Sequence, residues 1–265
     1  MNGGERLDVF LVTQGYASSR TKGRELIEGG HVLLNGKKAL KPSQLCGESD
    51  KIEITDKPED YVGRGALKLV HALDSFGVEV SGKTAIDIGA STGGFTDLLL
   101  RRGAKKVYAV DVGHGQLAER LRADPRVINM EGENIRFMTP DRLGEAVDLA
   151  VCDVSFISLG LVLAPMHELL RDDGELAALV KPQFEAGREN IGKNGIVRDK
   201  KVHVEVLNKV MGQAVESGFS VKGLTYSPIK GGSGNIEFWL LLKKGMHMGV
   251  AADAKAVVET AHRML

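Results

Sequence analysis

Residues 84–111, TAIDIGASTGGFTDLLLRRGAKKVYAVD, alternate between two kinds of hydrophobic pattern. The apolar run TAIDI is followed by a glycine-rich turn, by a segment with helical spacing, and then by a second apolar run, KVYAV. Short apolar runs separated by helical segments are typical of parallel strands whose sheet is covered by helices on both faces. The stretch therefore predicts a strand, a helix and a second, parallel strand.

The same alternation continues towards the C-terminus. Further runs predicted as strands are VINMEG, VDLAVCDV and LAALVK, and the predicted helices include GQLAERLRA, LVLAPMHELL and KVHVEVLNKVMGQAVESG. The final runs, FSVKGLTYS and NIEFWLLLKK, have no helix between them, so we expect an antiparallel hairpin. Residues 65–265 are therefore predicted to form an α/β domain with a doubly wound, Rossmann-like sheet that ends in this hairpin.

The composition narrows the classes of partner and compartment. Lysine plus arginine and aspartate plus glutamate both number 35, so the formal net charge is zero and no global field attracts nucleic acid or membrane. Cys46 and Cys152 lie far apart, which argues against disulfides and cysteine-based metal sites. The sequence has neither a signal-peptide pattern nor an apolar run of about 20 residues. We therefore expect a cytoplasmic protein without a metal or a membrane span.

The first 56 residues have an organisation of their own. RLDVFLVTQGY and SRTKGRELIEGG predict two short helices, with Ser18 or Ser19 as the N-cap of the second. An Asn-Gly pair at residues 35–36 is a strong hairpin signal, and DKIEITD predicts a further strand. We predict a small α+β module over residues 1–56 and a linker over residues 57–64, where proline and glycine interrupt regular structure.

Basic residues are concentrated in this module. Between Ser18 and Lys41, six basic residues stand against Glu25 and Glu28, a local surplus of four in a chain with no net charge. Such clustering is typical of a surface that binds a phosphate backbone, although a solvated basic face explains the charge equally well. The residues predicted to contact RNA, with one arginine added from the RLD segment, are Arg6, Arg20, Lys22, Arg24, Lys37, Lys38 and Lys41.

The glycine-rich turn is a candidate binding site. Ligands of open α/β sheets bind beyond the carboxyl ends of the strands, and Gly89, Gly93 and Gly94 follow the first strand. Because glycine lacks a side chain, these residues are expected to let the backbone turn tightly and approach a ligand closely. The dinucleotide fingerprint would place a glycine where this sequence has Ser91. Asp87, just before the turn, would repel a pyrophosphate but suits a ligand with a cationic amino group or a sulfonium.

Asp111 supports the same interpretation. It ends the second strand, 22 residues after Gly89, where a carboxylate accepts hydrogen bonds from ribose hydroxyl groups. The acidic residues and the altered fingerprint favour S-adenosylmethionine as the ligand. A nicotinamide dinucleotide, or a tight turn with helix-capping acids and no ligand, are the alternatives.

Four polar residues are expected at the same edge of the sheet. Asp153 follows the apolar run LAVC, and Lys181 follows LAALV, with a proline that ends the strand. Glu237 begins the last strand, which starts at this edge if it runs antiparallel. The alternative for Lys181 is a strand-end lysine whose ammonium group stays in water. Lys68 lies on a helix predicted over residues 66–76, beside an apolar stripe of Leu67, Val70, Leu73 and Phe76.

These motifs resemble those of known RNA-modifying enzymes. YVGRGALKL, DIGASTGGFTD, CDVSFISL, LVKPQFE and GNIEFWL resemble the TlyA-type, or hemolysin-A-like, ribosomal RNA methyltransferases, whose catalytic domain is of the FtsJ type. RLD, SRTKGRELIEGGHVLLNG and DKIEI resemble the small RNA-binding fold of a small-subunit ribosomal protein. The resemblance covers nearly all 265 residues; GRGALKL departs from it slightly, because the family usually has two glycines before the leucine and lysine.

The resemblance implies a function and a set of site residues. It implies transfer of a methyl group from S-adenosylmethionine to a ribose 2′-hydroxyl, expected to be that of a cytidine, in ribosomal RNA or ribosomal subunits. Lys68, Asp153, Lys181 and Glu237 would form the catalytic tetrad. The residues implied in cofactor binding are Asp87, Gly89, Ala90, Ser91, Gly93, Gly94, Asp111 and Asn134.

A ribose hydroxyl is a weak nucleophile, which is why such a tetrad is needed. Lys181 would orient the hydroxyl and accept its proton, or stabilise the developing alkoxide while water takes the proton. Asp153 and Glu237 would orient the lysines, and Lys68 would steady the nucleophile or a phosphate. The rival functions are a non-catalytic RNA-binding or ribosome-assembly factor, a membrane-active hemolysin and a nicotinamide oxidoreductase.

Two segments lie outside these motifs. Residues 186–200, which include GRENIGKNGIVRDK, predict a loop that either orders on RNA or is a simple surface loop. DAKAVVETAHRML predicts a C-terminal helix that packs on the domain or touches RNA, with Ala256, Val257, Thr260 and Ala261 on or near one face.

Overall fold

The computed structural model describes residues 4–17, 19–47, 49–55, 61–249 and 252–265. It divides the chain into two compact units, Met1–Asp60 and Tyr61–Leu265. Residues 57–60 of the predicted linker lie outside the described residues, and so does Ser18, one of the two predicted N-caps.

The first unit has an α+β architecture. Its elements are β1 (Glu5–Arg6), α1 (Leu7–Thr13), α2 (Arg20–Glu28), β2 (Val32–Leu34), β3 (Lys37–Lys38), β4 (Leu45–Cys46) and β5 (Ile52–Ile54). β2 pairs antiparallel with β3 and β5. Asn35 and Gly36 have positive φ angles of 52° and 74°, as the predicted two-residue hairpin requires. The Ser19 hydroxyl caps α2 by accepting a hydrogen bond of 3.3 Å from the backbone N–H of Lys22.

The second unit is a mixed sheet with helices on both faces. Its elements are α3 (Ala66–Phe76), β6 (Thr84–Ile88), α4 (Gly94–Arg101), β7 (Lys106–Asp111), α5 (Glu119–Arg122), β8 (Val127–Glu131), α6 (Pro140–Leu143), β9 (Val147–Cys152), α7 (Leu163–Leu169), β10 (Leu170–Val180), α8 (Pro182–Glu185), α9 (Lys200–Glu216), β11 (Phe219–Tyr226), β12 (Phe238–Lys244) and α10 (Ala254–Met264). Within the described ranges, no helix combines the length and the apolarity that a membrane span needs.

The sheet has the order β11-β12-β10-β9-β6-β7-β8. Neighbouring strands from β10 to β8 in this order are parallel, whereas β12 runs antiparallel to both β10 and β11. The predicted doubly wound sheet with a C-terminal hairpin is therefore confirmed. The strand order reverses at β6, between β7 and β9, and ligands of such sheets bind beyond the carboxyl ends of the strands at that point.

Alternate residues of the strands face two separate cores. Ala150 and Cys152 of β9 belong to the core that α7, α9 and α10 cover. Leu149 and Val151 belong to the core that α3 and α4 cover. Because both faces of β9 are buried, its sequence is apolar without the alternation of a half-exposed strand.

The predicted helix α3 has the expected bounds but buries a different stripe. Leu67 is 45% exposed, so the predicted stripe is wrong at this residue. The buried residues are Ala66, Leu69, Ala72 and Leu73. Both stripes have helical spacing, so the packing of α3 against α4 determines which one is buried. The two helices approach closely here, because a Cβ on Gly94 at the start of α4 would lie only 3.3 Å from the backbone nitrogen of Ala66. Small residues allow this close approach of α3 to α4.

Other predicted elements differ in extent. α5 is a single turn, because the side chain of Glu131 accepts a hydrogen bond of 3.0 Å from the backbone N–H of Leu117 and holds the segment before α5 outside the helix. β10 begins at Leu170, before the predicted run, with an irregular register that ends at Glu175. α10 packs on α9 as predicted, but its buried residues are Ala254, Val258 and Ala261, and Ala256 is exposed.

The segment 186–200 contains two 3₁₀ turns, Arg188–Asn190 and Lys193–Gly195. The side chain of Asn235 holds the end of this segment, because it accepts a hydrogen bond from the backbone N–H of Val197 and donates one to the carbonyl of Gly195, each of 2.9 Å. Ordering of the segment on RNA stays a prediction.

A buried histidine pair makes the stability depend on pH. His203 Nδ1 of α9 lies 2.9 Å from His262 Nε2 of α10, and His203 is fully buried. Burial, and to a smaller extent the neighbouring His262, lower the pKa of His203 to about 4. Below about pH 6.5 the unfolded chain therefore binds a proton that the folded protein does not bind. This contribution to stability is present above about pH 6.5 and is lost as the pH falls towards about 4.

His203→Gln removes the titrating ring but keeps the neighbouring charged groups Asp199, Lys200 and Lys230. When the pH is lowered from about 7.5 to about 5, the free energy of unfolding of the wild type, measured in urea, is expected to fall by about 2 kcal/mol more than that of the variant. Parallel pH dependences of the two proteins would contradict the assignment.

Candidate active site

The four residues predicted for catalysis lie at one edge of the sheet. β9 and β10 are parallel and end one residue before Asp153 and Lys181. β12 is antiparallel to β10 and begins one residue after Glu237, which brings this residue to the same edge. Lys68 comes from the first turn of α3. Four segments that are distant in sequence therefore supply the group.

The side chains of these residues form a chain of alternating charges. Lys68 Nζ lies 2.7 Å from Glu237 Oε2 and 3.9 Å from Asp153 Oδ2. Lys181 Nζ lies 2.5 Å from Asp153 Oδ1. None of the four side chains is more than 19% exposed, so each charge needs an opposite partner nearby. Two ammonium groups and two carboxylates satisfy this need and leave the group neutral.

Ser155 is a further member of this group that the sequence prediction missed. Its Oγ accepts a hydrogen bond of 2.8 Å from Lys181 Nζ. It lies two residues after Asp153, in the loop between β9 and α7. Serine is too common in loops for its residue type to have marked it, and its position in the motif CDVSFISL was the available signal.

Asp87 is fully buried at the end of β6, below the glycine-rich turn. Its Oδ2 accepts hydrogen bonds of 2.9 and 2.7 Å from the backbone N–H and the hydroxyl of Thr96. Its Oδ1 is buried and lacks a hydrogen-bond partner in the part of the chain that the structure describes. Burial raises the pKa of Asp87 to about 7 against the opposing effect of Thr96, and the carboxylates of Asp153 and Asp111 contribute to the rise. A cation bound nearby would favour its ionised form.

Packing within the protein explains the glycines of the turn. Gly89 has a φ of 85°, and a Cβ there would collide with the backbone oxygen of Asp153. Gly93 has a φ of 96°, and a Cβ there would collide with the side chains of Leu117 and Leu121. The sequence prediction assigned these glycines to a tight turn, which the positive φ angles agree with, and to the close approach of a ligand. In the structure, each one admits a neighbouring part of the chain.

A cavity of about 590 Å³ opens beside the turn. Asp153 and Ser155 line it, so it reaches the charged group. The predicted cofactor residues that line it are Gly89, Ser91, Asp111 and Asn134. The predicted cofactor residues that are not part of its lining are Asp87, Ala90, Gly93 and Gly94. Lining residues that the prediction missed include Val112, Gln116 and Phe156, whereas Glu133, Ile135 and Arg136 flank the predicted Asn134 in the segment MEGENIR.

The lining suits a cationic ligand that carries a ribose. Asp111 accepts hydrogen bonds of 2.8 Å from the backbone N–H groups of Ser91 and Gly113, one at each carboxylate oxygen. These bonds fix the carboxylate and leave each oxygen a further lone pair for a hydroxyl group. Val112 and Ile135 supply apolar surface for a planar ring. The volume lies within the range of about 300 to 1,000 Å³ that is common for small-molecule sites.

In the first unit, three of the predicted RNA-binding arginines converge on one buried carboxylate. Asp8 is fully buried, and Arg6 donates to both of its oxygens, at 2.9 and 3.0 Å. Arg20 Nη2 and Arg24 Nε lie 3.2 and 3.6 Å from Asp8 Oδ2. The hydrogen bond from Arg6 is the largest of the effects that lower the pKa of Asp8 to about 2. The sequence prediction missed Asp8, which offsets part of the local positive charge.

The three guanidinium groups nevertheless stay accessible. The side chains of Arg6, Arg20 and Arg24 are 40%, 59% and 56% exposed. Of the predicted lysines, Lys22 pairs with Glu25 at 3.3 Å, whereas Lys37 and Lys38 of β3 and Lys41 are exposed. The first unit therefore presents cations to solvent, and the buried Asp8 constrains the arginines among them.

Two family models match the chain. An FtsJ-like methyltransferase model matches residues 61–244, and an S4 domain model matches residues 5–52. The chain belongs to the FtsJ-like methyltransferase family. The resemblance that the motifs indicated is thereby confirmed. In this member of the FtsJ-like family, an S4 domain precedes the methyltransferase domain.

Relatives of this FtsJ-like protein match it over nearly its whole length. YqxC of Bacillus subtilis, named as a candidate rRNA methyltransferase, is 47% identical over 98% of this chain and 95% of its own. The 16S/23S rRNA (cytidine-2′-O)-methyltransferase TlyA of Mycobacterium tuberculosis is 42% identical over 98% of this chain and 97% of its own. A solved structure from Streptococcus thermophilus, named as a candidate hemolysin, has a TM-score of 0.75 and 45% identity, covering 100% of this chain and 98% of that one.

Proposed function

We propose that this protein transfers a methyl group from S-adenosylmethionine to the 2′-hydroxyl of a cytidine ribose in ribosomal RNA. The observation that carries the proposal is the buried chain of Glu237, Lys68, Asp153 and Lys181, with contacts of 2.5 to 3.9 Å, at the end of a cavity suited to a cationic nucleoside. Membership of the FtsJ-like family supports the reaction class. The name of the Mycobacterium tuberculosis relative supports cytidine in ribosomal RNA as the target.

The residues of the cavity fit S-adenosylmethionine. Asp111 would accept hydrogen bonds from the ribose hydroxyl groups, and Ser91 and Asn134 lie on the same lining. The carboxylate of Asp153 on the lining favours the positive charges of the ligand, and a bound cation would in turn favour the ionised form of the buried Asp87, whose pKa is raised by burial. Gly89, Ala90, Gly93 and Gly94 would shape the turn around it. When bound, S-adenosylmethionine supplies an electrophilic methyl group on a sulfonium.

The tetrad would prepare the RNA hydroxyl for attack. As a neutral amine, Lys181 would accept the proton of the 2′-hydroxyl; as an ammonium group, it would donate to the 2′-oxygen and stabilise the alkoxide while water takes the proton. Asp153 orients Lys181 through their contact of 2.5 Å. Glu237, 2.7 Å from Lys68, would orient the Lys68 ammonium group, which would steady the nucleophile or a neighbouring phosphate.

The first unit would bind the RNA. We propose a domain division into an RNA-binding module over residues 1–56, a linker over residues 57–64 and a methyltransferase domain over residues 65–265. The match to an S4 domain and the exposed cations of this unit support the assignment. We further propose a cytoplasmic location, because the proposed substrate is ribosomal RNA.

The direct test is to map methyl groups on ribosomal RNA. The full-length protein is incubated with labelled S-adenosylmethionine and with ribosomal subunits that lack ribose methylation, and labelled nucleotides are then identified. We expect label on the 2′-oxygen of a cytidine. RNA binding without any label would favour a non-catalytic assembly factor, and label on a base atom would contradict the ribose target.

Arg20→Gln tests the RNA-binding role of the first unit. Loss of one phosphate contact is expected to weaken binding to ribosomal RNA about fivefold at about 0.1 M salt and to reduce the slope of log affinity against log salt by about 1. The matched control is Arg171→Gln, because Arg171 is 58% exposed, as Arg20 is 59% exposed, and also pairs with an aspartate, Asp148. Equal effects of the two substitutions would indicate a general loss of charge and contradict a specific contact.

A further inference from the structure

The loop between β9 and α7 is held at two points by α8 and the residue before it. At one end, Lys181 pairs with Asp153 at 2.5 Å and donates to Ser155 Oγ at 2.8 Å. At the other end, the buried carboxylate of Glu185 accepts hydrogen bonds of 2.8 Å from Ser158 Oγ and 2.7 Å from the backbone N–H of Leu159. The loop is therefore fixed relative to the ammonium group of Lys181.

The backbone next to Ser155 is strained. Phe156 has a φ of 63°, in the left-handed region that bulky residues rarely occupy, and its side chain is exposed. Strain of this kind persists only where the surrounding contacts over-determine the conformation. The two anchor points of the loop supply such contacts, and one of them is the hydrogen bond between Lys181 and Ser155.

The contacts of Lys181 Nζ restrict the directions from which a substrate atom can approach this nitrogen. A tetrahedral nitrogen has three directions besides the bond to its own carbon. The hydrogen bond to Ser155 takes one of them. The carboxylate of Asp153, 2.5 Å away in an ion pair without hydrogen-bond geometry, holds the ammonium group from one side, so the direction left for a substrate oxygen is restricted. With Asp153 alone, the ammonium group could turn about its carbon–nitrogen bond and the remaining direction would not be defined.

We propose that Ser155 is a positioning residue for the methyl transfer, because its hydroxyl fixes the direction in which Lys181 meets the ribose 2′-oxygen. The inference deepens the proposed function and rests on it. Ser155 and Asp153 both line the cavity, so the direction that they define is set at the place where the methyl donor and the ribose would meet. Alignment of the reacting groups makes a large contribution to the rate enhancement of enzymes, and its loss lowers kcat more than it weakens substrate binding.

The test compares three variants of the full chain in methyl transfer to ribosomal subunits. Ser155→Ala is expected to lower kcat about tenfold and to change the KM values for S-adenosylmethionine and RNA by less than about threefold. Ser155→Thr keeps the hydroxyl and, because Ser155 is exposed, has room for the added methyl group; it is expected to restore most of the rate. Ser158→Ala removes a hydroxyl from the same loop that contacts Glu185 and not Lys181, and kcat is expected to stay within about twofold of the wild type.

Three results would overturn the proposal. They are a Ser155→Ala enzyme with wild-type kcat, a Ser155→Thr enzyme as slow as Ser155→Ala although it is folded, and a Ser158→Ala enzyme as slow as Ser155→Ala. The last result would show that integrity of the loop, rather than contact with Lys181, controls the rate. A wild-type protein that fails to methylate ribosomal RNA would instead refute the proposed function, and the inference with it.

Discussion

Lys181→Ala is expected to lower the rate of methyl transfer to ribosomal RNA by at least about a thousandfold. The substitution removes the group that would both hold the 2′-oxygen and receive or balance its charge. The fold should persist, because β10 already ends at Val180 and Asp153 retains Lys68 as a partner at 3.9 Å. The rate is measured with labelled S-adenosylmethionine and ribosomal subunits.

Two further measurements make this result specific. The rise in melting temperature that S-adenosylmethionine causes should be the same in Lys181→Ala and the wild type, because Lys181 is not part of the cavity lining. Lys83→Ala is the matched control, since Lys83 is also an ion-paired lysine, 2.9 Å from Glu175, but precedes β6 at the opposite edge of the sheet. Turnover of Lys181→Ala within tenfold of the wild type would remove this lysine from the mechanism.

Lys68→Met is expected to lower the free energy of unfolding by about 3 kcal/mol, because it leaves the buried carboxylate of Glu237 without its partner. The double variant Lys68→Met/Glu237→Gln removes both charges and should be more stable than the sum of the single effects predicts, with a coupling of at least about 1 kcal/mol. Urea unfolding of the single and double variants measures this coupling.

The comparison pair for this cycle is Lys106 and Glu145. They lie 2.6 Å apart in the same unit, but both side chains are more than one-third exposed. Lys106→Met should therefore cost less than about 1 kcal/mol. The contrary result is a Lys68→Met variant whose free energy of unfolding falls by no more than that of Lys106→Met. That result would show that the buried charges of the tetrad do not depend on one another for stability, and it would contradict the prediction.

The positions of Asp153, Lys181 and Glu237 could be predicted because strand direction is readable from sequence. Apolar runs without alternation indicate strands buried on both faces, and residues that follow such runs collect at one edge. The absence of a helix between the last two strands indicates that β12 reverses, which moves Glu237 to that edge. These inferences need only the order and the direction of the elements.

Other parts of the site depend on contacts that no local pattern encodes. Leu67 and Leu69 both fit a helical stripe, and only the close approach of α3 to α4 determines which of them is buried. Asp8 has the appearance of an ordinary acid in the first turn of α1, although arginines from α2 converge on it. Ser155 matters through Lys181, which lies 26 residues further along the chain.

The missing side chain at Gly89 restricts how this enzyme can vary. The main chain of Asp153 occupies the space that any larger residue would need. The turn after β6 and the loop after β9 are therefore in direct contact at Gly89. A larger residue at Gly89 would displace Asp153, so substitutions in natural or engineered variants should accumulate at other positions of the turn. Ser91, two positions later, already shows that a side chain is tolerated there despite a φ of 48°.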